Sequence, residues 1–251
     1  MGRTLEGREN LMNVLGHRGA SVYTPENTAP AFRKAIELGA DGVEFDVHLT
    51  ADNRPVIMHD FDLSKTSNGA GLISNYTLGE LKLLDVGAWF SKEFENTRIL
   101  TLEEALEIVR DMKIINVEIK APKMAYRGLP EIVGQTVKYM NLSHKVVVSS
   151  FNSRMALDAK KSNPKVKAAL IYDRPVYFPT PVKYAEKVGA DALHPVDRMT
   201  TAQLAMACTK AGIDLNVWTV NNPARARMLQ SWGVTGIISD EPDTVRSMLR
   251  K

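Results

Sequence analysis

Short runs of β-branched and aliphatic residues alternate along the chain with stretches whose apolar positions recur every three or four residues. The first pattern predicts buried strands and the second amphipathic helices. Nine strand segments stand out: VLGH (14–17), GVEFDVHL (42–49), PVIMHD (55–60), INVEIK (115–120), VVVSSF (146–151), AALIY (168–172), DALHP (191–195), DLNVWTV (214–220) and GIIS (236–239). A helical pattern lies between most of them. In TLEEALEIVRDM, Leu102, Ala105, Leu106 and Val109 share one face, and Thr101 with Glu104 has the spacing of a capping box. In NNPARARMLQSWG, Asn222 is the expected N-cap, Pro223 the first helical residue and Gly233 the stop.

Four joints repeat one formula of helix, glycine, short polar step and strand: ELGADGVEF, KVGADALHP, KAGIDLNVW and SWGVTGIIS. Glycine just past a helix end takes the left-handed conformation that releases the chain into the next strand. Recurrent joints of this kind predict βα units on a parallel sheet. About eight units in 251 residues is the size of a TIM (β/α)8 barrel. A doubly wound open sheet is the alternative, but GHRGAS (16–21) lacks the G-x-G-x-x-G spacing of a phosphate-binding first turn.

Nine strands are one too many for such a barrel. Only ADNR (51–54) separates EFDVHLT from PVIMHD, which is too short for a parallel crossover. The two segments are therefore expected to form an antiparallel hairpin that sets His59 opposite Asp46. Residues 61–99 hold an Asn-Gly turn, one short capped helix and no core strand. They read as a small insertion beside the barrel mouth, within a single domain spanning 1–251.

Composition narrows the function classes. With 44% hydrophobic and 24% charged residues the chain can bury a substantial core. Its net charge of +3, without a run of like charges, suits a small anionic substrate and gives no nucleic-acid footprint. MGRTLEGRENLMNVLG (1–16) has no apolar run long enough for a signal peptide or membrane span, so a cytoplasmic protein without stable membrane insertion is expected. The single cysteine, Cys208, excludes an intramolecular disulfide and a cysteine-rich metal site. It shares a predicted helix face with Leu204, Ala207 and Ala211 and reads as a buried structural thiol.

The candidate chemistry sits at strand ends. In VEFDVHL, alternation puts Glu44, Asp46 and His48 on one face and Phe45, Val47 and Leu49 on the other. The acidic face points either to solvent or into the barrel, where carboxylates are costly unless they hold a cation. INVEIK repeats the theme with Glu118 and Lys120 on one face. Barrel active sites gather at the C-terminal ends of strands. Glu44, Asp46 and Glu118 meeting there make a hard oxygen site suited to Mg²⁺ or Ca²⁺. His48, two residues further along, is not expected to join it. Three carboxylates and one divalent ion sum to −1, and Arg18 with Lys120 brings the total to +1, which a phosphodiester monoanion neutralises.

Two histidines, His17 and His59, end the first strand and the return leg of the hairpin. One neutral and one protonated imidazole can divide the proton transfers of phosphodiester cleavage. Trp218, at the end of DLNVWTV, either walls the substrate pocket or caps the core, and Ser150 or Phe151 of SSFNS is a further contributor. In GHRGASVYTPENT, Gly16 and Gly19 are expected to let the backbone turn close beneath a phosphate. Thr28 or Asn27 caps the first helix, and Glu26 lies near the mouth as a supporting partner.

Taken together, HRGASVYTPENT, GADGVEFDVHLTADNRPVIMHD, TSNGAG, TLEEAL, VEIK, SSFN, VWTVNN and GIISDEP resemble the glycerophosphodiester phosphodiesterase family in order, from about residue 14 to residue 242. The resemblance implies a TIM barrel with an insertion after MHD. It also implies divalent-metal-dependent hydrolysis of glycerophosphodiesters to sn-glycerol 3-phosphate and an alcohol. It assigns His17 and His59 to the catalytic pair, Arg18 and Lys120 to phosphate contacts, and Glu44, Asp46 and Glu118 to the metal. The family chemistry is similar to that of phosphatidylinositol phospholipase C, in which the substrate's adjacent hydroxyl attacks phosphorus and water opens the resulting cyclic phosphate. Trp218 is the substrate-binding candidate of the VWTVNN segment. Leu100, Lys65 and Ser239 stand where proline, arginine and threonine are usual, and only Lys65, in the insertion, bears on substrate choice. A lysophospholipase D-like activity on lipid phosphodiesters and a non-catalytic phosphodiester-binding barrel are the alternatives. Oligomeric state is not legible.

Overall fold

Nine strands form one sheet in the computed structural model, which describes residues 12–120, 128–175 and 179–249. They are β1 (Asn13–His17), β2 (Gly42–Leu49), β3 (Pro55–Ile57), β4 (Ile114–Ile119), β5 (Val146–Ser150), β6 (Lys167–Tyr172), β7 (Ala192–Pro195), β8 (Asp214–Val217) and β9 (Gly236–Ser239). Eight of them run parallel in the order β1-β2-β4-β5-β6-β7-β8-β9, and β9 pairs back with β1 to close the barrel. The ninth, β3, is antiparallel to β2 and lies outside the ring. The fold is a TIM barrel with a hairpin on its second strand. The barrel strands match the apolar runs to within one residue, except that DLNVWTV stops pairing as a strand at Val217.

The helices are α1 (Ala29–Glu37), α2 (Leu78–Leu81), α3 (Leu102–Val109), α4 (Leu129–Tyr139), α5 (Ser153–Ser162), α6 (Pro181–Val188), α7 (Ala202–Ala211), α8 (Pro223–Ser231) and α9 (Pro242–Leu249). Their ends follow the local chemistry of the sequence. Thr101 and Glu104 close a reciprocal capping box on α3, and the Asn222 side chain caps α8 ahead of Pro223. Gly39, Gly189, Gly212 and Gly233, the glycines of the four repeated joints, all take positive φ, between 68° and 79°. There the left-handed backbone turns each helix into its next strand. No described helix is long and apolar enough to cross a membrane. Residues 1–11, on which the expectation of an N-terminus without a signal peptide or membrane span largely falls, lie outside the described part.

Alternation along the strands divides the side chains between the barrel interior and an apolar layer under the helices. On β2, Val43, Phe45 and Val47 face outward into a layer shared with Phe32 of α1 and Leu106 of α3, and the Phe32 and Phe45 rings lie 5.4 Å apart. A second layer, with Leu193, Leu215, Leu229 and Ile237, covers the opposite half of the barrel. Glu44, Asp46 and His48 consequently turn inward, and all three are buried. Cys208 is buried in the second layer, and burial pushes its thiol up to about 11. Its helix face is corrected: Ala205 packs beside it, whereas Ala207 is exposed, because the barrel covers a narrower stripe of α7 than the apolar spacing suggests.

Residues 61–99 contain one short α-helix, α2, with a complete Thr77–Glu80 capping box, and three single-turn 3₁₀ segments. Leu63, Ile73, Leu81, Val86 and Ile99 make a small core of their own against Val56 and Met58 of the hairpin leg. This anchors the insertion on the segment that carries His59.

Candidate active site

The turn after β1 sets one side of the site. His17 ends that strand, and Arg18 follows at φ 56°, which brings its backbone N–H to Glu44 Oε2 at 3.0 Å. The Arg18 guanidinium donates from Nη1 to both Glu26 oxygens at 2.9 and 3.0 Å, and its Nε lies 3.7 Å from Asp46 Oδ2. Glu26 thus supports the arginine as expected. The glycines of this turn also answer to packing. A Cβ on Gly19, at φ 91°, would stand 2.6 Å from the Ala31 backbone, and one on Gly16 would stand 2.5 Å from Gly19 O. They let the turn pack against α1 and against itself.

Thr28 is the N-cap of α1, and Asn27 does other work. At φ 59°, Asn27 donates from Nδ2 to Asp46 Oδ2 at 2.8 Å and accepts from the Asp46 N–H at 3.2 Å. Asp46 is thereby fixed in orientation from outside its own strand.

Parallel pairing of β2 with β4 puts Glu44 beside Asn116 and Asp46 beside Glu118. One ligand oxygen from each of Glu44, Asp46 and Glu118 lies within 4.8 Å of the others. Lys120 Nζ sits over the group, 3.0 Å from Asp46 Oδ1 and 2.8 Å from Glu118 Oε1. Burial, together with the charges of Asp46 and Glu118, raises Glu44 well above the usual carboxylate range. Burial and Asp46 likewise raise Glu118 to about 7. Asp46 alone is held low, because Lys120 and Arg18 outweigh its burial. Three crowded, buried carboxylates with two unable to ionise freely are a poor arrangement by themselves and a good cradle for a hard divalent cation. The residues fit such an ion.

His59 follows β3 and closes the other side. The register expected for the hairpin is corrected by one residue: Met58 N–H donates to Asp46 O, so Met58 faces Asp46. The turn pairs Thr50 with Arg54 through Asn53 at φ 58°, and that pairing sets the register. Strand pairing ends at Ile57, and beyond it the chain carries His59 into the pocket beside Glu118 and Lys120. Burial and the cations Lys120 and Arg18 lower the His59 imidazole to about 4, against the opposing charge of Asp46. His48 stays outside the carboxylate trio; its Nε2 meets the His59 carbonyl at 3.1 Å and its ring stacks edge-on against Phe61. Lys65 pairs with Asp60 at 2.9 Å, next to His59, and does not line the pocket.

The resulting pocket is lined by His17, Arg18, Glu44, His59, Glu118, Lys120 and Trp218 among the predicted residues. Asp46 lies just behind its wall. Trp218 is on the lining, held by an Nε1–H bond to His194 O at 2.8 Å, with Phe151 edge-on against it at 5.7 Å. Phe151, not Ser150, faces the pocket, since the Ser150 hydroxyl donates to Ile119 O.

The partner of His17 escaped the sequence reading. Asp240, immediately after β9, stands with Oδ1 2.6 Å from His17 Nδ1 and is itself held by Ser21 and Asn221. Those bonds, the histidine's above all, outweigh burial and lower Asp240 to about 2. The available signal was a carboxylate one residue past the last barrel strand, in the segment IISDEP.

Residues 17–244 match the glycerophosphoryl diester phosphodiesterase family. A glycerophosphodiester phosphodiesterase of Caldanaerobacter subterraneus is 38% identical over 239 residues, 95% of this chain and 98% of that one. Among solved structures, an Oleispira antarctica phosphodiesterase in complex with the product sn-glycerol 3-phosphate superposes with a TM-score of 0.85 at 30% identity, covering 96% of this chain and 98% of the other. A glycerophosphodiester phosphodiesterase from Thermotoga maritima gives 0.73 at 32% identity over 92% and 96%.

Proposed function

This chain belongs to the glycerophosphoryl diester phosphodiesterase family, and from that premise we propose that it hydrolyses small glycerophosphodiesters, such as glycerophosphocholine or glycerophosphoethanolamine, to sn-glycerol 3-phosphate and an alcohol. The observation that carries the reading is the placement of His17 and His59 on one pocket with Arg18 and Lys120, above three converging buried carboxylates.

Glu44, Asp46 and Glu118 hold a divalent ion, Mg²⁺ or Ca²⁺, which when bound polarises phosphoryl oxygens and offsets developing negative charge. Arg18 and Lys120 bind the phosphate anion. The Asp240 carboxylate engages His17 Nδ1–H, which leaves Nε2 as the acceptor and stabilises the imidazolium once formed. His17 is therefore the group that takes the proton from the attacking glycerol hydroxyl. Burial and the Lys120 and Arg18 charges keep His59 neutral in the free protein. The bound phosphate anion offsets those charges, so that His59 takes up a proton and gives it to the leaving alcohol oxygen as the P–O bond breaks. Water then opens the cyclic phosphate with the two roles reversed. Trp218 walls the substrate. The reading places a monodomain enzyme in the cytoplasm.

The test is release of sn-glycerol 3-phosphate from glycerophosphocholine by the purified chain. Release should stop with a chelator and return on adding Mg²⁺ or Ca²⁺. Unchanged turnover in the chelator would remove the metal from the account, and no turnover with either metal would remove the activity.

A further inference from the structure

From Asn116, in register with Glu44 on the neighbouring strand, the pocket is also lined by neutral polar side chains that the reaction does not use. Asn116 and His194, each 1% exposed, line it alongside Ile171 and Ile238. Both amide atoms of Asn116 and Nδ1 of His194 have no hydrogen-bond partner among the described residues, nor does the neighbouring Ser149 hydroxyl. Leaving such groups unpaired in a native interior is costly, and a few together mark a place where something polar binds.

The other side of His194 is deliberately held. Asn216 Nδ2 meets His194 Nε2 at 2.9 Å, so the neutral ring carries its proton on Nδ1, toward the pocket. Gly236 makes room for that amide, since a Cβ there would lie 2.5 Å from Asn216 Oδ1. This part of the pocket thus presents an N–H donor from His194 and both a donor and an acceptor from Asn116. Among the described residues, the cations of the pocket, Arg18 and Lys120, pair instead with Glu26, Asp46 and Glu118. A phosphate, which only accepts and needs positive charge, does not match this set. An alcohol, which both donates and accepts, does.

We propose that Asn116 and His194 form a hydroxyl-reading subsite that receives a free hydroxyl of the glycerol moiety and selects phosphoglycerol over other phosphate esters. The proposal rests on the functional reading above.

The probes are sn-glycerol 3-phosphate and propyl phosphate, which has the same charge and no hydroxyl on its carbon chain, titrated calorimetrically into the metal-loaded full chain. Wild type should prefer the glycerol ester by about 10-fold or more. Asn116→Ala and His194→Phe, checked by thermal melts, should lose most of that preference while binding propyl phosphate within about 3-fold of wild type. Should His194→Phe not fold, Asn116→Ala carries the comparison. A wild type without preference, a preference kept in the folded variants, or an equal loss for both ligands overturns the subsite. If the ligand pattern holds but glycerophosphocholine is not cleaved, the subsite stands and the proposed reaction falls.

Discussion

His17 Nδ1 and Asp240 Oδ1 stand 2.6 Å apart although 223 residues separate them in the chain. Closure of the barrel makes the contact, since β9 pairs with β1 and delivers Asp240 beside the end of the first strand. The aspartate fixes both the orientation and the tautomer of the imidazole. Asp240→Asn keeps the size of the group but removes the charge that stabilises the imidazolium. It should lower kcat by about 10²–10⁴-fold with little change in KM or melting temperature. Steady-state kinetics and a thermal melt check this, and full activity in the variant would contradict it.

The carboxylate trio should trade stability for ion binding. Glu44 sits buried against Asp46 and Glu118, so Glu44→Gln should melt at or above the wild-type temperature when no metal is present. A divalent ion at about 100 times its dissociation constant should raise the wild-type melt by roughly 5–10 °C and leave the variant unmoved. Calorimetric melts with and without metal decide it.

The turn beneath Arg18 should tolerate no side chain at Gly19. A Cβ there meets Ala31 backbone atoms, at a φ that L-residues rarely adopt. Gly19→Ala should cost about 3 kcal/mol or more in chemical denaturation, and a loss below about 1 kcal/mol would mean that the turn can move away from α1.

His194 gives a pH signature of folding. Burial lowers its imidazole from the ordinary histidine value of about 6.5 to about 3. Between those values the unfolded chain takes up a proton that the folded one refuses. Stability therefore falls as pH drops from about 6.5 toward 3, by about 1.4 kcal/mol per pH unit for this group. Above about 6.5 the group contributes no slope. Denaturation of wild type and His194→Phe across this range should show a shallower decline in the variant, and parallel curves would contradict the assignment.

Much of this was legible in the chain because local chemistry carried it. The four helix–glycine–strand joints, the capping box at Thr101 and the alternation that puts Glu44 and Asp46 on one face follow from spacing alone. The inward direction of that face is set by the outward packing of Val43, Phe45 and Val47. The short ADNR turn revealed the hairpin but not its register, which depends on the Thr50–Arg54 pairing. Asp240, Asn27 and His194 were hidden for a different reason. Each acts on a residue brought near by barrel closure or a turn, and an isolated Asp, Asn or His carries no periodic signal. Ala207 was misplaced because a mildly apolar helix face does not say how much of it the barrel covers.

The most direct test of the central claim is ³¹P NMR of glycerophosphocholine incubated with metal-loaded wild type, His17→Ala and His59→Ala. The account predicts conversion of the diester signal to sn-glycerol 3-phosphate by wild type. It predicts loss of at least about 10²-fold in rate for each folded variant. Wild-type rates in both variants would contradict the two-histidine mechanism.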